Sequence, residues 1–322
     1  MSLSQGKPKP FIPLRPLRKG GTIGVFSPSS PPVAENTAQG VRYLESLGYR
    51  VVLSPNYSQH EDYLAGSGEQ RAGDLMGLIC NDTIDAIFCT RGGFGSFMML
   101  PFLDFEAIRK ARKLILGFSD VTALQWAVYA KTGLPSISAG MVATDLSYPA
   151  RDPQFESFFW ELIESGHTNC TFQNTLSHAE EQDGVASCEG ISMPGTMSVA
   201  AMLLGTKWFP VLENCIPILE DVDEPRHKVE AYLTQLILGG HFAACPAVVF
   251  GQFTDASVQG YPEVPELHTI FRRATQKSSL KVLQGIDYGH IPGKISLPLG
   301  VPISVSLGST SILRTRQSIF ES

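Results

Sequence analysis

Three residues far apart in this 322-residue chain have the types that acyl transfer needs. They are a serine at a strand-to-helix corner, an acid at the end of an apolar run and a histidine in a glycine-rich loop. The serine lies in Lys113-Leu-Ile-Leu-Gly-Phe-Ser119-Asp120-Val-Thr-Ala-Leu124. The apolar run predicts a buried strand, with a helix opening directly after the serine. A hydroxyl held there sits at a helix N-terminus, whose free N–H groups and dipole favour negative charge developing beside it. Ser119 as a nucleophile makes the protein a hydrolase. The same Ser-Asp-Val-Thr run is also ordinary N-cap sequence, and the local pattern leaves both readings open. The second glycine of the G-x-S-x-G elbow is missing, so an α/β-hydrolase is excluded on motif.

The acid comes from Glu220-Asp-Val-Asp-Glu224-Pro-Arg-His-Lys228, which follows the apolar run Ile216–Leu219. Four acids in five residues suit a solvated loop or a metal site. No second His or Cys stands at a recognised metal spacing, which argues against metal. A carboxylate where a buried strand ends can instead orient and charge-stabilise an imidazole. His290, in Gly285-Ile-Asp-Tyr-Gly289-His290-Ile-Pro-Gly293, is the best general-base candidate of seven histidines, because its flanking glycines predict an exposed, specially shaped backbone. His60, His167, His178, His241 and His268 have bland polar or amphipathic settings. Arg91-Gly-Gly-Phe-Gly-Ser96 is a glycine loop after a strand. It matches neither phosphate-loop pattern. It serves as a tight turn, or as backbone N–H groups brought close to a substrate carbonyl, with Arg91 free to grip a carboxylate.

The elements that must position these residues alternate in the first half. Strands are expected at 22–27, 51–53, 84–90 and 114–116, with helices at 33–47, 70–80 and 121–131. That alternation predicts a parallel, doubly wound sheet, whose sites gather at the C-terminal ends of strands. The loops Ser27–Pro32, Arg91–Ser96 and Phe118–Thr122 all lie at such ends and are expected to converge. Residues 145–189 are polar and Pro- and Gly-dotted, with one helix at 155–164, and are taken as an inter-domain connection. Beyond it, strands at 216–221 and 247–253 and helices at 228–238 and 267–274 precede short β-type runs at 282–284, 295–297, 303–307 and 311–314. The fold class is therefore α/β: a Rossmann-like parallel sheet in residues 1–165 and a smaller, β-barrel-like β/α domain in residues 166–322.

Composition narrows the function. Lys plus Arg is 25 and Asp plus Glu is 31, a net charge of −6 with no basic stripe, so no nucleic-acid partner is expected. No apolar segment is long enough to span a bilayer, and Met1–Gly20, with Pro8, Pro10, Pro13 and Pro16, lacks a signal peptide's apolar stretch. Cys80, Cys89, Cys170, Cys188, Cys215 and Cys245 form no C-x-x-C pair and read as free thiols in a reducing cytoplasm.

Ser119, Glu220 and His290, in that chain order, resemble the murein LD-carboxypeptidase family of serine peptidases, which also contains the microcin C immunity proteins. The likeness covers nearly the whole chain. It runs through Gly21-Thr-Ile-Gly-Val-Phe-Ser-Pro-Ser-Ser30, Leu64-Ala-Gly-Ser-Gly-Glu-Gln-Arg-Ala-Gly-Asp-Leu75 and Arg91–Ser96. It continues in Gly117–Leu124, Leu219-Glu-Asp-Val-Asp-Glu-Pro225 and Gly289-His290 with Leu297-Pro-Leu-Gly300. The resemblance implies Ser119 as nucleophile, His290 as general base and Glu220 as acid, with Glu224 its competitor. It implies backbone N–H groups of Gly93 and Asp120 as the oxyanion hole, and a swivelling second domain with the site between the two. The implied substrate is a murein tetrapeptide losing D-alanine through an acyl-enzyme, with no metal or organic cofactor. Arg91 is a candidate for the substrate carboxylate, and a homodimer is left open. The alternatives are an immunity-type amidase cleaving an aspartyl- or peptidyl-nucleotide conjugate, with a stacking aromatic expected within 147–186, and a catalytically silent binding protein. Three stretches depart from the family pattern and are expected near the substrate: Pro194-Gly-Thr-Met197, His227-Lys228 and Ala139-Gly140.

Overall fold

A computed structural model describes residues 9–175, 187–276 and 280–321. Pro8, His178 and residues 176–186 of the expected connection lie outside the described residues.

The first sheet is built from β1 (Thr22–Phe26), β2 (Arg50–Leu53), β3 (Ala86–Cys89), β4 (Leu114–Gly117) and β5 (Ser136–Ser138). These strands are parallel to one another. α1 (Ala34–Ser46), α2 (Gly68–Cys80), α3 (Phe105–Ala111) and α4 (Thr122–Thr132) connect them. β1, β3 and β4 are buried along their whole length, as apolar runs in a sheet covered on both faces must be. β3 lies between β4 and β1, so the three loops expected to converge leave neighbouring strand ends.

α5 (Pro153–Ser165) leads into the second sheet, whose order is β10 (Lys281–Gln284), β9 (Ala247–Thr254), β8 (Cys215–Val222), β7 (Ser187–Thr196), β12 (Pro302–Ser306), β13 (Thr310–Thr315), β6 (Asn169–Gln173). Its β10-to-β7 half is parallel and the remainder antiparallel. The sheet curls until its edges meet: Thr175 N–H donates to the Gln284 carbonyl at 2.9 Å. α6 (Met197–Met202), α7 (Arg226–Leu238) and α8 (Leu267–Thr275) complete this part.

Two expectations need correction. The run expected at 295–297 in the second-half barrel is β11 (Leu297–Leu299), which crosses back and pairs antiparallel with β5 as the edge of the first sheet. Pro298 has no N–H to give a further strand, which suits an edge position. Residues 145–189 hold more than a helix and a connection. β6 alternates buried Cys170 and Phe172 with exposed neighbours, and β7 starts at Ser187. This period-2 signal is only five residues long and lies beside polar loops.

The two sheets are tied by specific polar contacts. The Trp126 indole donates to the Pro194 carbonyl at 2.9 Å, Thr196 N–H donates to Thr122 Oγ1 at 3.0 Å, and the Ser138 and Tyr288 hydroxyls are 2.7 Å apart. Each joins a residue of the first sheet's elements to one that follows β6 in the chain. All six cysteines are free. Among the described residues, no helix is long and apolar enough to cross a membrane.

Candidate active site

Ser119 follows β4 and Phe118 and opens a single 3-10 turn, Ser119–Val121, that runs into α4. Its φ is +64°, a left-handed conformation that a non-glycine residue adopts at a cost. The sharp corner lifts the hydroxyl out of the strand. Gly92 leaves room for it, since a Cβ there would stand 2.9 Å from the Ser119 Cβ.

Asp120 is buried and braces the corner. Its carboxylate accepts from Ser29 Oγ at 2.6 Å and from Ser96 N–H at 2.7 Å, and its carbonyl accepts from Ser96 Oγ. One side chain thus gathers the loops after β1, β3 and β4. Gly93 has φ +119°, and a Cβ on it would press on Ser30 at 2.3 Å. Beneath the same loops lies Arg71, which donates to the carbonyls of Gly66 at 3.0 Å and Gly95 at 2.9 Å and also to that of Pro28. Burial lowers its pKa, with Asp120 and Glu61 opposing. In the sequence, Arg71 stands only as part of the Leu64–Leu75 motif. A charged residue at a helix position otherwise suited to the core was the signal it left.

His290 links the two halves. Its Nε2 is 3.0 Å from Ser119 Oγ, and its Nδ1 is 2.7 Å from Glu220 Oε2. A carboxylate accepts, so Nδ1–H is the donor and the Nε2 lone pair faces the serine hydroxyl. Glu220 is fully buried on β8, and the Thr196 hydroxyl donates to its other oxygen. The Phe118 ring lies 4.7 Å from the imidazole. The geometry is that of a serine able to lose its proton to an oriented imidazole. Glu224, the competing acid, makes no hydrogen bond to His290, and its Oε2 is buried without a partner among the described residues.

The acid cluster is split by the alternation of β8. Asp221 turns the other way and accepts from Ser198 N–H at 2.7 Å, Ser198 Oγ at 3.1 Å and Val222 N–H at 3.0 Å. Burial raises its pKa from 3.8 to about 7, Glu220 adds to the rise, and these donors oppose it. The folded chain therefore binds this proton more tightly than the unfolded chain. Through this group stability is full below the unfolded value and declines as pH rises towards the folded one. Asp221→Asn is expected to flatten the fall in thermal midpoint between about pH 4 and pH 7. A slope unchanged by the substitution would assign the titration to another group.

Ser119 and His290 open onto a cleft of about 980 Å3, also lined by Arg91, Gly93, Tyr148 and Lys294. Arg91 bonds only back to the Gly92 carbonyl and has no acidic partner among the described residues. Of the three departures, Thr196 contacts Glu220 directly. Gly140 packs so closely that a Cβ would lie 2.6 Å from both Asp145 and Phe155, two cleft residues. His227 does not reach the cleft. It faces a separate hollow beside α7 with Leu204 and His241, its ring 4.7 Å from that of Tyr261.

A curled sheet carrying Glu220, with His290 on the loop that leaves its β10 edge, is docked on a parallel sheet carrying Ser119. Two family models match in order: the LD-carboxypeptidase N-terminal domain over residues 23–139 and the LD-carboxypeptidase C-terminal domain over residues 189–305. The chain belongs to the LD-carboxypeptidase family. It is 28% identical over 290 residues to a probable murein peptide carboxypeptidase of Bacillus subtilis, spanning 90% of each protein. It is 27% identical over 329 residues to the microcin C7 self-immunity protein MccF of Escherichia coli, spanning 94% of this chain and 95% of that one. A solved muramoyltetrapeptide carboxypeptidase from Oxalobacter formigenes shares the fold with a TM-score of 0.83 at 24% identity, over 92% of this chain and 99% of that one.

Proposed function

We propose that this chain is a serine-type LD-carboxypeptidase that removes the terminal D-alanine from a murein tetrapeptide. The observation that carries this reading is the unbroken line from Ser119 Oγ through His290 to Glu220, at 3.0 and 2.7 Å. His290 Nε2 takes the Ser119 proton as Oγ attacks the carbonyl of the C-terminal amide. The N–H groups of Gly93 and Asp120 hold the oxyanion. Glu220 keeps the tautomer and balances the imidazolium. His290 then protonates the leaving amine, and a water deprotonated by the same imidazole releases the acyl group from Ser119. Arg91 takes the substrate's terminal carboxylate, since among the described residues no acid pairs with it. None of these steps calls for a cofactor. The boundary near residue 165, a cytoplasmic setting and a homodimer belong to the same reading.

Incubation with a murein tetrapeptide is expected to release one alanine, followed by mass. Arg91→Ala is expected to raise KM about tenfold or more while changing kcat less. No release of alanine at high enzyme concentration would end this reading.

One observation favours a second reading, an immunity-type amidase acting on an aspartyl-nucleotide conjugate. Tyr148 is 61% exposed and lines the cleft, and its carbonyl is held by Arg151 at 2.6 Å. It offers a ring on which a base could stack. Trp160 does not serve: its indole donates to Tyr43 and stacks on Tyr49 at 5.7 Å, within the packing of α5. Turnover of such a conjugate, with none of the tetrapeptide, would favour this rival. Labelling of Ser119 by a fluorophosphonate would argue against a silent binding protein.

A further inference from the structure

We propose that the Lys294–Asp145 ion pair is a positioning device for His290, so that Lys294 governs the rate through the imidazole without touching the reacting atoms. This rests on the serine–histidine reading above. Lys294 stands four residues after His290 in the loop between β10 and β11, and its ammonium pairs with the Asp145 carboxylate, which belongs to the segment after β5. Asp145 is itself fixed, accepting from Met141 N–H at 3.1 Å and Thr144 Oγ1 at 2.8 Å. Burial alone would raise its pKa, but Lys294 and these donors outweigh that and hold it below the ordinary range. The ammonium also lies 4.8 Å from the centre of the Phe118 ring, and that ring lies 4.7 Å from the imidazole.

Phe118 immediately precedes Ser119. One cation therefore ties the histidine loop to the opposite sheet and to the residue flanking the nucleophile. Its neighbour Gly293 is held too, its carbonyl accepting from Gln154 Nε2 at 2.9 Å. Lysine is seldom buried, yet Lys294 is 7% exposed. A buried ion pair is a weak source of stability compared with apolar residues of similar volume. Its value here is geometric, because displacing a reacting group by an ångström slows a reaction by about a hundredfold.

The test is a double-substitution cycle on the full chain with the tetrapeptide as substrate. Lys294→Met and Asp145→Leu each strand a buried charge and are expected to lower the thermal midpoint. The D145L/K294M variant removes both charges and is expected to regain it. Its kcat is expected to stay at least about tenfold below the parent, with KM within about threefold. A double variant with kcat within threefold of the parent would overturn the proposal, as would a rise in KM alone. If the double variant does not fold, Lys294→Arg and Lys294→Gln are compared per folded molecule. Arg is expected to keep the pair and most of kcat, and Gln to lose about tenfold; equal values would overturn the proposal. His290→Ala is assayed alongside. An active His290→Ala would sink the underlying reading, whereas an inactive one with an unaffected double variant would sink only this inference.

Discussion

Ser119→Ala is expected to lower kcat for tetrapeptide cleavage by about ten-thousandfold to a millionfold. The hydroxyl is the only atom of that side chain in reach of His290 Nε2, and alanine leaves the imidazole with nothing to deprotonate. The fold should survive. The strain at φ +64° belongs to the backbone and is the same for alanine. The turn is held by Asp120 through Ser29 and Ser96, not by the Ser119 hydroxyl. Thermal midpoint and KM should therefore stay near the parent values. Residual turnover should persist from substrate positioning and the oxyanion donors. Release of alanine within tenfold of the parent would remove Ser119 from the nucleophile role.

The second large effect is expected at Glu220→Gln, a fall in kcat of about a thousandfold to ten-thousandfold. The substitution keeps the shape and removes the charge. Both oxygens of Glu220 are engaged, one by His290 Nδ1 and one by the Thr196 hydroxyl. An amide nitrogen placed toward His290 would force the wrong tautomer, since a donor would then face Nδ1. An amide oxygen placed there would keep the tautomer, but no charge would balance the imidazolium as it forms. Full burial makes that loss larger, because no solvent screens the site on the carboxylate side. Glu224→Gln is the control and should leave kcat within about twofold, since Glu224 has no bond to the histidine. If Glu224→Gln and Glu220→Gln had exchanged effects, the choice of acid would be reversed.

Much of this architecture was legible because its signals are local. β1, β3 and β4 are uninterrupted apolar runs, and α2 shows in the helical spacing of Ala72, Leu75 and Ile79; the structure adds a Ser67–Gln70 capping box that starts it at Gly68. The glycine loop after β3 marks a backbone that side chains would block, as the 2.3 Å approach of a Gly93 Cβ to Ser30 makes plain. Less legible were elements whose pattern is too short to carry a period. β5 and β11 have three residues each, and neither holds a periodicity of its own. Their pairing across more than 150 residues of chain is decided by docking, with the Ser138–Tyr288 hydroxyl contact at 2.7 Å beside it. Residues 145–189 resemble a connection in sequence because polar positions there face solvent on one side of a strand.

The residue types at the site, their chain order and the corner on which the serine stands are all present in the order of amino acids alone. Strand, turn and helix signals arise from neighbours a few positions apart, and Ser119, Glu220 and His290 each lie within such a signal. That they meet follows from long-range packing. Glu220 and Asp221 are adjacent in one acidic run, yet the two-residue period of β8 sends the first to His290 and the second to Ser198. Glu224, two residues past the strand's last residue, has lost the register that would aim it at the imidazole. The contact between His290 and Ser119 joins a loop that follows β10 to a turn that follows β4, and it exists only because the two sheets are docked edge to corner. Local propensity contains no information about that docking. It is set by the packing of both sheets and by the few polar contacts, Trp126 to Pro194 and Lys294 to Asp145 among them, that hold one against the other.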